Sequence, residues 1–349
     1  MFKKVLCYGL TVCCIFLSSC TSFNDSNFEN EYKTNYNNIN TFINNYFWFD
    51  NGNVYYGSDG FYNTRWFCKN NESDKKLFTQ YDFLRKNNCE EGQFNNSLQA
   101  YGDNVYTWFS TNDENIFYKY DKQTKTTEEI IRVNQSVHLW AVKDEFLIYS
   151  LYESEFNIVL YVYNFNSKES KTIAEDVLGF GVVGNNIRYI VYNPSTNSNQ
   201  IYQYNINDGK NESIGSYFEL AGISEETLTF NFTKNKIVFY SDEKPKNLYV
   251  LNTNTFKTSE YTLPYSVQFI SCYDEYAFIT LYDKEDLSLI IHINLENGEY
   301  KTIKEKIQCE LINSINDNQA YIITTSDGPI TVKVEYFLID KNGAFEKVL

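Results

Sequence analysis

The sequence predicts an all-β fold built from seven repeats of one four-stranded antiparallel unit, and three observations point there. Aromatic residues make up 18% of the chain, with 31 Tyr and 27 Phe, and such side chains suit half-buried pleated surfaces. Short apolar runs of strand length alternate with polar turns from Asn53 to Leu349. Two sequence elements also recur seven times, in the same order and phase.

The first element is a short apolar strand ending in Asn or Asp, followed nine positions later by an apolar residue. Its anchors are Asp121, Asn164, Asn205, Asn252, Asn294 and Asp340, leading to Ile130, Ile173, Ile214, Tyr261, Ile303 and Leu349. A degenerate first copy is Trp66-Phe67-Cys68-Lys69, leading to Phe78. From Lys69 to Asp340 the anchors are 52, 43, 41, 47, 42 and 46 residues apart. The second element precedes each anchor strand and is a polar residue opening an aromatic-rich strand. Its copies start at Asn53, Asn104, Glu145, Asn186, Lys236, Tyr276 and Gln319.

Asn or Asp suits the end of the third strand, because its side chain bonds nearby backbone and tolerates turn conformations. Segments such as Asn207-Asp208-Gly209-Lys210 and Glu296-Asn297-Gly298-Glu299 then read as hairpin turns, with glycine at the positive-φ position. One strand before the second element and one after the turn complete four strands in roughly 45 residues, the size of one propeller blade. The expected fold is therefore a seven-bladed β-propeller of four-stranded antiparallel blades. Radial closure removes most exposed sheet edges, the main hazard for so aromatic a β protein. The innermost strand of the first blade is expected between Thr41 and Phe49. The last blade is expected to finish near Leu349 with its outermost strand, so closure would need no strand exchanged between the ends.

The repeat resembles bacterial propellers whose blades read apolar strand, Asp or Asn, turn, Gly-Lys, apolar strand. That resemblance covers Thr41 to Leu349 and implies an architecture, since unrelated functions share it. The Trp-Asp dipeptide of WD repeats and the proline-rich blade signature of TolB-like propellers are not found.

The N-terminus carries a different signal. Lys3 and Lys4 precede an apolar run from Val5 to Leu17, then Leu17-Ser18-Ser19-Cys20. A basic start, a short apolar core and small residues form a secretory signal, too short to span a bilayer. The four residues resemble the bacterial lipobox, which implies lipidation of Cys20 and a bacterial lipoprotein carrying a propeller. Residues 1–19 are read as signal, 20–40 as lipidated cysteine and flexible tether, and 41–349 as the propeller domain. The expected location is the bacterial cell envelope, anchored on the outer side of the cytoplasmic membrane or in the periplasm.

Charge narrows the partners. The formal net charge is -15, and losing Lys3 and Lys4 with the signal makes the remainder more negative still. Phosphate binding needs clustered Lys and Arg, so nucleic acid is not an expected partner. Anionic lipid would repel the chain as well, leaving membrane attachment to the acyl chains.

Cys68, Cys89, Cys272 and Cys309 remain after the signal and Cys20 are set aside. Outside the cytoplasm they allow two disulfides, and proximity favours Cys68–Cys89 and Cys272–Cys309. Buried thiols acting as small hydrophobes are the equal alternative. No CxxC follows the signal, so neither a redox pair nor a zinc knuckle is supported.

Catalytic candidates are few. His292 alternates with Ile291 and Ile293 in a repeated strand and reads as structural. His138 precedes Leu139-Trp140 in an inner strand and reads as a core or channel-lining histidine rather than a general base. No Gly-x-Ser-x-Gly elbow is found, and Asn205-Ile206-Asn207-Asp208-Gly209 lacks the spacing and closing glutamate of a calcium loop. No catalytic residue, cofactor or metal site is assigned.

The turns after the anchors are short and uniform, whereas the connections after the aromatic strands vary in length, as function-bearing loops do. These loops carry Asp59, Asp113, Glu114, Glu153, Glu155, Asp242, Glu243, Asp283, Glu285, Asp286 and Asp327. Tyr62, Trp66, Tyr152, Tyr192 and Tyr282 border them as candidate binding residues. Acidic loops rimmed by aromatics suit a protein, a cationic peptide or a glycan. A scaffold that binds such a partner is the expected function. The alternative is a propeller-type glycosidase or lyase using channel carboxylates.

Overall fold

A computed structural model describes residues 38–40, 47–50, 53–58, 65–69, 74–79, 93–111, 114–154, 157–193, 195, 198–218, 228–282, 288–307, 309–327 and 332–347. The signal, Cys20, Tyr62 and Cys89 lie outside them, as do the side chains of Trp66 and Cys68. The described strands form seven antiparallel sheets, each containing four strands consecutive in sequence. Sheet four gains a fifth strand, Asn38–Asn40, from the end of the expected tether.

Both recurring elements fall where expected. Second strands start at Asn53, Asn104, Phe146, Asn186, Lys236, Tyr276 and Gln319. Third strands end at all seven anchors, Lys69 included. The innermost strands are Phe47–Asp50, Gln93–Tyr101, Ser136–Lys143, Val177–Val183, Leu228–Phe232, Ser266–Cys272 and Cys309–Asn316. The outermost strand of sheet seven is Phe345–Lys347, so this sheet borrows no strand from the N-terminus.

In sheets two, three, four and six the apolar residue nine places after the anchor marks a β-bulge, whereas Tyr261 of sheet five pairs with Leu248 without a slip. Ile130, Ile173, Ile214 and Ile303 are each the extra residue where the outermost strand slips against the third. A bulge bends the strand and adds twist. It turns these side chains onto the intersheet cores and gives these four sheets an edge that is awkward to pair.

Consecutive sheets face one another across those cores. Phe232 and Phe239 of sheet five pack with Ile190 and Ile201 of sheet four, and Val238 and Val250 pack with Ile270 and Ile279 of sheet six. Two glycines in the innermost strand of sheet four permit close approach. A Cβ on Gly181 would stand 2.8 Å from Cβ of Phe232, so that ring and the bare backbone occupy one space.

Polar links join the innermost strands. Gln99 of sheet two donates from Nε2 to the Val142 carbonyl and accepts the Val142 N–H at Oε1, both at 2.7 Å. Ser314 of sheet seven donates its N–H to Ser271 Oγ and its hydroxyl to the Ser271 carbonyl in sheet six, both at 2.7 Å. Asn231 holds the same position in sheet five, yet both its amide atoms are buried without a partner.

The Cys272–Cys309 disulfide is not formed: both residues are buried thiols. The Ser271–Ser314 bonds explain why. They place Cys272 level with the far end of the Cys309 strand, and five residues of strand separate Ser314 from Cys309, roughly 16 Å. A disulfide needs Cα atoms about 4.4–6.8 Å apart.

Candidate functional site

The two faces of the ring are built differently. On one, Oδ1 of Asp121, Asn164, Asn205, Asn252, Asn294 and Asp340 each accepts two backbone N–H bonds from its own turn. The residue after each anchor donates its N–H to the neighbouring inner hairpin, at Asp103, Glu145, Asn185, Asn235, Glu275 and Asn318. In these six sheets the N–H groups of the turns are therefore bonded within the sheet. Glycine supplies the positive φ at Gly209, Gly298 and Gly343, but Lys125, Lys168 and Phe256 adopt it in the other turns. The expected glycine rule holds for half of these turns, because the repeated N–H bond back to the anchor carbonyl enforces the conformation.

Arg188 adds a link on this face, donating to the carbonyls of Thr233 at 3.0 Å and Lys234 at 2.5 Å in the next sheet. Burial lowers its basicity. Lys236, buried to 3%, reaches Glu275 at 2.5 Å. Arg188 did not stand out in the sequence, since a lone basic residue within an apolar strand has no repeat signature, and Lys236 was legible only as the polar residue opening its repeat.

The opposite face presents aromatic rings. Tyr152 and Tyr282 are 39% and 41% exposed, and Tyr265 is 36% exposed. Tyr152 and Tyr282 are equivalent: each ends a second strand, opposite the first residue of its inner strand, Ser136 or Ser266. Tyr192 lies near the corresponding end in sheet four but is half-buried. Tyr152 and Tyr192 thus belong to adjacent sheets, while Tyr282 stands in sheet six.

Five inner strands slip register at their loop-face ends, between Phe94 and Leu98, Val137 and Trp140, Val177 and Gly179, Val267 and Phe269, and Cys309 and Leu311. Bulges at such rims re-aim side chains. In sheet three the bulge holds His138, whose ring lies 5.0 Å from that of Tyr152 at 57°. Burial pushes the His138 pKa down to about 4, so the imidazole is neutral near pH 7. His292 is structural, stacked on Tyr276 at 4.7 Å, with Nε2 2.7 Å from the Asp317 carbonyl.

Several rim carboxylates are engaged. Glu114 pairs with Arg132, which also meets Glu129 at 2.9 Å. Glu153 accepts from Tyr161 Oη at 2.6 Å and Gln135 Nε2 at 3.1 Å. Arg132 is held more firmly protonated by its two carboxylates. Asp242 and Glu243 remain exposed. Among the described residues, no group of three His, Cys, Asp or Glu side chains forms a metal site.

Sheets packed face to face around a ring of innermost strands match known structures. The chain aligns with the β-propeller domain of the Trilobed protease from Pyrococcus furiosus at TM-score 0.56 and 13% identity, covering 89% of this chain and 96% of that one. It aligns with a post-proline cleaving enzyme from Rickettsia typhi at TM-score 0.60 and 13% identity, covering 92% and 54%. A structure from an analysis of two prolyl endopeptidases gives TM-score 0.61 and 10% identity, covering 90% and 50%. The fold is a β-propeller. The chain spans about half the length of these two peptidases. No family model and no curated protein sequence matches the chain.

Proposed function

We propose that this chain is a lipid-anchored, extracytoplasmic propeller of seven blades, closed without strand exchange, whose loop face binds a protein, peptide or glycan. The observation that carries the binding reading is the contrast between the faces. One spends its backbone on repeated Asx turns, whereas the other exposes Tyr152 and Tyr282 at equivalent blade positions. Exposed tyrosines supply contact area at low entropic cost, and their hydroxyls supply specificity. The scaffold role agrees with the propeller fold, and the envelope location rests on Leu17-Ser18-Ser19-Cys20.

Purified full-length chain in detergent, used to capture partners from envelope extract, tests the binding reading. A partner held by the parent and lost by a folded Tyr152→Ala, Tyr282→Ala double variant would support it. Catalytic cleavage of a purified glycan by the parent would overturn it. For the anchor, Cys20→Ala should move the protein from the membrane to the soluble fraction. Unchanged partitioning would remove the lipid from the proposal.

A further inference from the structure

Asn38–Asn40 does not join the first sheet. It pairs antiparallel with the innermost strand of sheet four, Asn38 opposite Val183, Ile39 opposite Val182 and Asn40 opposite Gly181. The other edge of Val177–Val183 is taken by Asn186–Asn193. Asn38–Asn40 therefore occupies the edge turned toward the axis of the ring, and its second neighbour is the innermost strand of sheet five.

The pairing fills a gap in the links between sheets. In sheet three the backbone N–H and C=O of Val142 are held by Gln99 of sheet two. Val182 is the equivalent residue in sheet four, since Val142 faces Leu147 and Val182 faces Ile187 at the same hairpin position. The residue of sheet three that matches Gln99 is Ala141, which has no polar atom to offer. Ile39 stands opposite Val182 instead, so a strand of main chain takes the place of a side-chain amide. An unfilled inner edge would leave a row of donors and acceptors facing the channel.

Direction follows from the register. Val183 adjoins the hairpin at Gly184 and Asn185, on the short-turn face, where Ile206 bonds the Asn185 carbonyl. Asn38 is level with Val183 and Asn40 lies two residues deeper. Phe47 opens the described innermost strand of sheet one three residues from its hairpin, where Asp50 faces Asn53, and the strand runs from there toward the short-turn face. Seven chain steps separate Asn40 from Phe47, a reach of up to about 24 Å. By hairpin register Phe47 is level with Phe180, one residue beyond the Gly181 that faces Asn40, so the rise left along the axis is roughly 3 Å and the rest of the reach serves to cross to sheet one.

We infer that the polypeptide enters the propeller through its short-turn face and threads the central channel along sheet four. The lipidated end then lies on the short-turn side, and the face bearing Tyr152 and Tyr282 points away from the membrane toward a macromolecular partner. The threading stands on the strand pairing alone; the orientation also rests on the lipid anchor proposed above.

Two readouts on the full-length chain test this. Directly opposed Cα atoms in antiparallel strands are about 4.5–5.5 Å apart, within disulfide reach. An Asn38→Cys, Val183→Cys double variant should form an intramolecular cross-link on mild oxidation in most molecules. An Asn38→Cys, Lys143→Cys control, at the equivalent place in sheet three, should form almost none. Equal cross-linking in the two would overturn the threading. For orientation, a fluorophore on Asn207→Cys or Ser154→Cys is read in phosphatidylethanolamine–phosphatidylglycerol vesicles with acceptor headgroups. Transfer should be more than twofold greater from position 207, on the short-turn face. Equal or reversed transfer would overturn the orientation. Failure of the chain to stay with vesicles would overturn the lipid anchor, and the orientation with it, while the cross-link still decides the threading.

Discussion

The ring of Tyr261 in sheet five occupies the place where a side chain on Gly298 of sheet six would stand. A Cβ built on Gly298 falls 2.3 Å from Tyr261 Cδ1, and Tyr261 Oη donates to the Glu296 carbonyl in the same turn at 2.9 Å. The turn thus has two reasons for glycine, a φ of +74° and a ring pressed against it. Gly209 has the same turn position with φ +71°, but the nearest atoms to its Cβ site are at ordinary contact distance, 3.6 and 3.7 Å. Comparing the two separates backbone strain from crowding.

Gly209→Ala should cost about 1 kcal/mol, the penalty of a left-handed conformation for a residue with Cβ. Gly298→Ala should cost about 3 kcal/mol, because Tyr261 must also leave the turn and forfeit its hydrogen bond. Urea unfolding of the two variants measures the difference. Equal losses would show that the ring yields freely.

Gln99 and Asn231 occupy one position in different sheets and should respond oppositely to removal of their amides. Gln99→Leu strips Val142 of both inner-edge partners and should destabilise by about 2–4 kcal/mol. Asn231→Val removes two buried amide atoms that lack partners, so stability should hold or rise by about 1 kcal/mol. A comparable loss at both positions in thermal melts would mean that Asn231 has a polar role.

The repeat was legible in the sequence because its cause is local. An Asn or Asp side chain bonding N–H groups two and three residues ahead depends only on the turn, so it recurs in sheets two to six, and in sheet seven with bonds two and four residues ahead. The nine-residue spacing was equally plain, although its meaning as a bulge at Ile130, Ile173, Ile214 and Ile303 needed the pairing register. Links between sheets were not legible. Gln99 meets Val142 across 43 positions, and no periodicity distinguishes that glutamine from the Ala141 that replaces it one sheet later. The candidate site was half legible: the order of strands put Tyr152 and Tyr282 on one face, but Tyr192 is half-buried.

Cys272 and Cys309 should behave as inert thiols. Burial raises the Cys272 pKa well above its ordinary value, which suppresses the reactive thiolate. Maleimide should label neither residue in the native protein and both in denaturant, followed by mass mapping of the modified peptides. Protection of the two from maleimide after non-reducing denaturation would instead reveal a disulfide.

His138 should make stability fall on mild acidification. Its folded pKa of about 4 lies below the ordinary value of 6.5, because burial penalises the charged imidazolium. Between those values the unfolded chain binds a proton that the folded chain refuses. The contribution is therefore complete above pH 6.5 and is lost progressively as the pH drops toward 4, by about 3 kcal/mol at most. His292, also lowered by burial, acts in the same direction. His138→Gln should flatten the dependence, so the gap between parent and variant in urea titrations must change from pH 7 to pH 5. Parallel curves would show that His138 does not titrate differently in the two states. Tyr152→Ala supplies a second check, because the tyrosine ring covers His138 at 5.0 Å. Opening that cover should move the imidazole titration, followed by its proton NMR signal, back toward 6.5. A bound partner that buries Tyr152 should hold it low. The histidine then reports on occupancy of the loop face without taking part in any chemistry there.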